Sequence, residues 1–160
     1  MGAHKRRMWH VLAATVVLLT LGEAGAEGSR QKAEIVIPER ARNTYETWGY
    51  APAVKVDNTI YVSGVVSRLE GEGSYEERYA RGFRSALDWI EQVLNEAGAS
   101  LDDVVDITSF RTDLQRQLDT AIRVRMEVMA PPHPAWTAVG TTALATPDGV
   151  TEIKVVAVVD

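Results

Sequence analysis

The final strand-like stretch of the chain sets the tightest limit on its fold. From Thr151 to Val155 apolar residues alternate with Glu152 and Lys154, and from Val155 to Val159 every residue is apolar. Successive side chains of a strand point to opposite faces, so an alternating run needs cover on one face and an unbroken apolar run needs it on both. Helices elsewhere in the chain supply one cover. Only two long helical patterns are present, too few for both faces, and a second subunit is the simplest remaining cover.

The first helical pattern begins at Ser74, which forms a capping box with Glu77. Tyr79, Phe83, Ala86, Leu87, Ile90, Leu94 and Ala97 then recur at helical spacing, and Gly98 is the natural stop. The opposite face, with Arg78, Arg81, Asp88, Glu91 and Asn95, reads as solvated. Asp113 caps the second helix, expected from Leu114 to Met129 and ended by Pro131, with Leu118, Ile122, Met126 and Met129 as its core stripe. Strands are expected at Glu34 to Ile37, Ala53 to Val56, Thr59 to Ser63, Val104 to Thr112, Trp136 to Thr141 and Thr151 to Val159. Asp57-Asn58 turns the first hairpin, Gly64 closes it, and Pro147-Asp148-Gly149 marks a later turn. The pattern is α+β, a mixed sheet with two helices on one face.

Residues 1–26 read as an export signal. Lys5, Arg6 and Arg7 precede an apolar run from Met8 to Leu21, and Ala24-Gly25-Ala26 offers a small-x-small cleavage site. The run of about 14 residues is short of the roughly 20 needed to span a bilayer, so the expectation is a periplasmic or secreted protein with no stable membrane anchor. Arg6-Arg7 leaves the choice between Sec and twin-arginine export open, and an uncleaved anchor is the plainer alternative. Residues 27–160 form one domain, large enough for a full core. The whole chain carries a net charge of −5, and losing residues 1–26 makes it more acidic, a poor partner for nucleic-acid phosphates.

There is no cysteine, so disulfides, thiol nucleophiles and cysteine-based zinc sites are excluded. Past the signal one histidine remains, His133, within Pro131-Pro132-His133-Pro134 and without a nucleophile-elbow motif. It reads as part of a rigid loop rather than a catalytic triad. Chemistry in this chain therefore falls to carboxylates, hydroxyls and backbone groups.

Four separated segments carry a resemblance. They are Gly49-Tyr50-Ala51-Pro52-Ala53-Val54-Lys55-Val56, Asn58-Thr59-Ile60-Tyr61-Val62-Ser63-Gly64, Ala97-Gly98-Ala99-Ser100-Leu101-Asp102-Asp103-Val104-Val105, and Phe110-x-Thr112-Asp113. In order and spacing they resemble the Rid family, also called YjgF/RidA or endoribonuclease L-PSP. The resemblance implies a chorismate-mutase-like α+β fold assembled as a homotrimer, with ligand sites in the clefts between subunits. It also implies hydrolysis of enamines and imines to 2-oxo acids and ammonia, without metal or cofactor. The family's water-positioning glutamate falls on Glu152, its tyrosine on Tyr50, its backbone groups on Ser63 and Gly64, and its Pro-Ala-Arg segment on Pro134-Ala135-Trp136, followed by Thr137 and Ala138.

At that segment the arginine is replaced by Trp136, and the family's frequent Gln and Asn become Val65 and Ala121. A guanidinium makes two parallel charge-assisted bonds to a carboxylate, and an indole makes none. Breaking a buried charge pair costs about 2–5 kcal/mol, so 2-imino acids are poor candidate substrates on this reading. Trp136 either stacks on a flat ligand or plugs the cleft, and Tyr50 carries the same two readings. Arg111 and Lys154 are candidate replacement cations, although a strand-end arginine such as Arg111 is usually solvated. Glu152 and Lys154 share a strand face, so a structural ion pair competes with the water-positioning role. The expectation is an exported homotrimer that binds a small apolar or cyclic metabolite between subunits, with deaminase-like hydrolysis through Glu152. A non-catalytic ligand-binding or regulatory trimer is the alternative. Ribonuclease activity is disfavoured by the acidic chain and the lack of a basic stripe.

Overall fold

A computed structural model describes residues 28–160, so the expected export signal lies outside the described residues. A single turn, α1 (Ser29–Lys32), leads into β1 (Glu34–Val36). A 3-10 turn at Glu39–Ala41 then runs into α2 (Arg42–Trp48). The body follows as β2 (Ala53–Val56), β3 (Thr59–Ser67), α3 (Tyr75–Glu96), β4 (Val104–Arg111), α4 (Leu114–Val128), β5 (Ala135–Gly140) and β6 (Thr151–Val158), with a 3-10 turn at Leu101–Asp103 before β4. The strands form one sheet in the order β1-β2-β3-β6-β4-β5. All neighbours are antiparallel except β4 and β5, whose parallel pairing requires the crossover that α4 supplies.

The expected α3 forms as the sequence indicates. Ser74 Oγ accepts the Glu77 amide hydrogen, and the Glu77 carboxylate accepts the Ser74 amide hydrogen at 2.8 Å. At the far end Gly98 adopts φ +80°, a left-handed backbone that suits glycine. Phe83, Leu87, Ile90 and Leu94 are buried against the sheet face formed by Ile60, Val62, Ile107, Ile153, Val155 and Ala157. Each such side chain contributes about 1.5–3 kcal/mol on burial.

Two expectations fail in an instructive way. The stripe Leu118, Ile122, Met126 and Met129 does not face the core as a unit: Met129 is buried, Leu118 and Ile122 are half-buried, and Met126 is 55% exposed. Instead α4 buries Gln117, Thr120, Ala121, Val124 and Arg125. The sheet beneath it presents buried polar residues, and one of them, Thr151, donates to Gln117 Oε1 at 3.4 Å, which turns the Gln117 side of the helix inward. Strand β3 also does not end at Gly64 but continues to Ser67. A bulge between Val62 and Val65 shifts its register against β6, so Ser63 and Gly64 are accommodated inside the strand. Helix α2 was not expected; it buries none of its residues, so the sequence there carries no core periodicity.

On β6, Thr151, Ile153, Val155 and Ala157 are fully buried under the helices, whereas Val156 is half-buried and Val158 is 43% exposed. The chain therefore covers one face of its sheet. The other face carries exposed Tyr61, Phe110, Val139 and Val158.

Candidate functional site

The bulge in β3 builds the site. Ser63 Oγ donates to the Ala51 carbonyl at 2.6 Å and the Ser63 amide donates to the Pro52 carbonyl at 2.8 Å. These bonds fix the segment after α2 on the bulge and hold Tyr50 beside Gly64. Across from the bulge, β6 brings Glu152 alongside Val66. The Glu152 carboxylate lies on Gly64 so closely that a Cβ there would overlap it. A side chain at position 64 would push the Glu152 carboxylate aside, so the glycine serves close approach rather than an unusual backbone angle.

Tyr50, Ser63, Gly64 and Glu152 share a cleft of about 500 Å³, together with Trp48 and Arg68. An adjoining recess of about 190 Å³ is lined by Tyr50, Ser63 and Gly64 again and by Arg40, whose guanidinium stacks 3.7 Å above the Trp89 ring. Arg68 is tethered by Asp148, with Nε 2.9 Å from Oδ2. A carboxylate, a phenol and a guanidinium on one cleft can orient a water, a polar ligand head and an anionic group respectively. Trp48, mostly exposed, adds a flat apolar wall.

The remaining expected residues lie elsewhere. Lys154 is exposed on the same sheet face as Glu152, opposite Thr108, and among the described residues no ion pair joins it to Glu152. Thr137 is exposed on that face of β5. Trp136 points the other way, toward the helices, where Ala138 follows it on the same side of β5. Its indole N–H donates to Ser109 Oγ at 3.0 Å. His133 is exposed in the loop before β5.

Arg111 corrects the expectation of a solvated strand end, for it is fully buried. One of its nitrogens donates to the Tyr79 hydroxyl, and its guanidinium lies 5.3 Å from the Phe83 ring centre. Burial pushes its pKa below the usual arginine value, partly offset by Tyr79. Burial likewise raises the Tyr79 phenol, whose oxygen lies 2.9 Å from Thr151 Oγ1. Among the described residues no group of His, Asp and Glu side chains gathers in a way that could hold a metal ion.

Sequence reasoning missed Arg40, Trp48 and Arg68 in the cleft, and Arg125 beside Trp136. Arg68 was hidden because β3 was expected to stop at Gly64. Arg125 was hidden because a charged residue three after Ile122 carries no signal of burial in the sequence.

A six-stranded mixed sheet with two helices on one face and a bulge-built cleft against the last strand defines the class of fold. Comparison with known proteins identifies the family within it. The sequence profile described as Endoribonuclease L-PSP matches residues 42–159, and the chain belongs to that family. It is 38% identical over 123 residues to the RutC family protein YjgH of Escherichia coli K12, spanning 76% of this chain and 92% of that protein. The solved structure of Rv2704 from Mycobacterium tuberculosis, of the YjgF/YER057c/UK114 family, superposes with a TM-score of 0.67 at 28% identity, over 79% of this chain and 99% of that one. RidA from an Antarctic Psychrobacter gives a TM-score of 0.60 at 30% identity, over 69% and 88%.

Proposed function

We propose that the chain acts as a homotrimer that hydrolyses a small enamine or imine in a cleft completed by a neighbouring copy, with Glu152 positioning the water. The observation that carries this reading is the Glu152 carboxylate resting on Gly64 between Tyr50 and Ser63. Glu152 takes a proton from water as the oxygen adds to the C=N carbon and passes that proton to the nitrogen, giving a carbinolamine. It then takes the hydroxyl proton and returns it to the amino group, so that the C–N bond breaks as the C=O forms and a ketone and ammonia leave. Assembly is supported by two features of the sheet. Its uncovered face exposes Tyr61, Phe110 and Val158, and Trp136 and Glu152 occupy opposite faces, so a single ligand meets both only if two copies contribute.

The test is release of ammonia from an enamine generated in situ. Glu152→Gln is expected to lower the rate by about 10²-fold or more while leaving the assembly intact. An unchanged rate would discard the reading. Trp136 in place of the family arginine favours a second reading, a non-catalytic ligand-binding trimer. In that case wild type shows no turnover and Glu152→Gln alters binding alone. The acidic chain weighs against RNA as a ligand.

We also propose export, on the strength of the basic start, the apolar run and Ala24-Gly25-Ala26. Intact-mass measurement of the exported protein should place its amino terminus at Glu27, and recovery of the full-length chain from the cytoplasm would count against export.

A further inference from the structure

Trp48 is 71% exposed, the highest value for a large apolar side chain among the described residues. It ends α2, a helix that buries none of its residues, so no core contact accounts for an indole there. The backbone nevertheless fixes its place. Gly49 closes the helix with φ +69°, its amide donating to the Tyr45 carbonyl at 3.0 Å, and a Cβ at this position would meet nothing within 4 Å. Glycine therefore serves the left-handed turn, which sets Trp48 before it and Tyr50 after it. The bonds from Ser63 to Ala51 and Pro52 then tie this turn to the bulge. Both rings line the cleft that contains Glu152. At about 30 Å³ for each water-sized group, the cleft of about 500 Å³ has room for several times more than a four-carbon imine.

We infer that Trp48 determines the specificity of the cleft, an aromatic ring of the ligand stacking on its indole while the reacting carbon lies at Glu152. The inference rests on the proposed hydrolytic reading and names its substrate class, an enamine or imine that carries a ring. Stacked rings gain energy beyond the area they bury, and an indole loses little rotamer freedom in making the contact. Val66, paired with Glu152 in the strand register, adds a further apolar surface to the cleft. A second copy packed flat on Trp48 would close the cleft that Glu152 needs open, which leaves the ligand as the occupant of the ring's exposed surface. The family's frequent Gln is Val65 here and its arginine is Trp136, so the chain has lost polar contacts and keeps an aromatic wall.

The test is isothermal titration of the full chain with benzylacetone, a ring-bearing analogue of the ketone product, and with its cyclohexyl counterpart, which is as bulky but not flat. Wild type should bind benzylacetone more tightly than the cyclohexyl ketone. Trp48→Ala should weaken benzylacetone binding about tenfold and remove the preference, whereas Trp48→Phe, which keeps a ring, should lose less. Equal affinity for benzylacetone in wild type and Trp48→Ala overturns the inference. So does equal binding of the two ketones by wild type, or no binding of benzylacetone at all. Light scattering on the same samples adds a further arm. If Trp48→Ala dissociates an assembly that wild type forms, the indole serves a second copy and the inference is overturned. The two readings fail separately: a ring preference lost in Trp48→Ala upholds this inference even if Glu152→Gln leaves turnover untouched, a result that would end the hydrolytic reading.

Discussion

Helices α3 and α4 lie side by side on one sheet face, yet they bury opposite kinds of surface. Helix α3 buries Tyr79, Phe83, Leu87, Ile90, Val93 and Leu94, an almost unbroken apolar stripe. Helix α4 buries Gln117, Thr120 and Arg125 among its five enclosed residues and leaves Met126 exposed. Gln117 spans this polar region, donating to the Tyr75 hydroxyl at 2.8 Å while its carbonyl lies 3.4 Å from Thr151 Oγ1. Apolar burial stabilises a fold, whereas hydrogen-bonded polar burial adds only a modest net amount and an unpaired buried polar group costs stability, so the two halves contribute unequally. The contrast predicts where substitutions will be felt.

The largest expected effect is Ile90→Ala on α3, a loss of about 2–5 kcal/mol in denaturant unfolding from truncation of a fully buried side chain. Met126→Ala on α4 should fall within about 0.5 kcal/mol of wild type. Equal losses at the two positions would erase the distinction between the helices. Next comes Gly82→Ala, also on α3. Alanine ordinarily favours a helix over glycine by about 1 kcal/mol, but a Cβ at Gly82 would overlap the Arg68 carbonyl. The clash should win, giving a net loss of about 1–3 kcal/mol. A gain would mean that α3 sits less tightly on β3 than the structure requires.

Smaller again is Arg111→Met. Methionine fills a similar space beside Phe83 and Trp136 and removes an enclosed charge, while Tyr79 keeps its contact with Thr151. Stability should change by no more than about 1 kcal/mol, and a gain is the expected direction, as when buried ionic groups give way to apolar ones. A loss above about 2 kcal/mol would show that the Tyr79 bond makes Arg111 a stabilising element, and the α4 half would no longer differ from the α3 half.

How much of this was legible follows from which signals are local. The α3 boundaries could be read because its cap, apolar spacing and terminal glycine all lie in neighbouring residues. Tyr50, Ser63, Gly64 and Glu152 were legible only through family resemblance, since nothing in their spacing reports that a bulge folds β3 onto β6. The bulge itself was misread as a strand end because glycine marks both. The orientation of α4 was not legible, because apolar periodicity assumes an apolar sheet beneath the helix and the sheet here presents Arg111 and Thr151.

The smallest effect separates the surface of α3 from its interior by pH. The Glu77 carboxyl is held below its ordinary pKa of 4.5 by the Ser74 amide hydrogen first and the Ser74 hydroxyl second. Glu76 beside it is lowered by the Arg116 guanidinium, whose Nε lies 2.9 Å from Oε1. A carboxyl whose folded pKa is depressed contributes stability that is fully present above its unfolded pKa and is lost as pH falls through the folded value. Both groups are exposed, so solvent screening keeps the contribution small. Glu77→Gln retains an acceptor for the cap but removes the charge. Thermal melting temperatures of wild type and Glu77→Gln should therefore differ most above about pH 4.5 and converge on acidification below it. Ile90→Ala should show a loss that barely changes over the same range, since the hydrophobic contribution involves no proton. If the Glu77→Gln difference persists undiminished well below pH 4.5, the cap acts through geometry alone and the charge at the start of α3 contributes nothing.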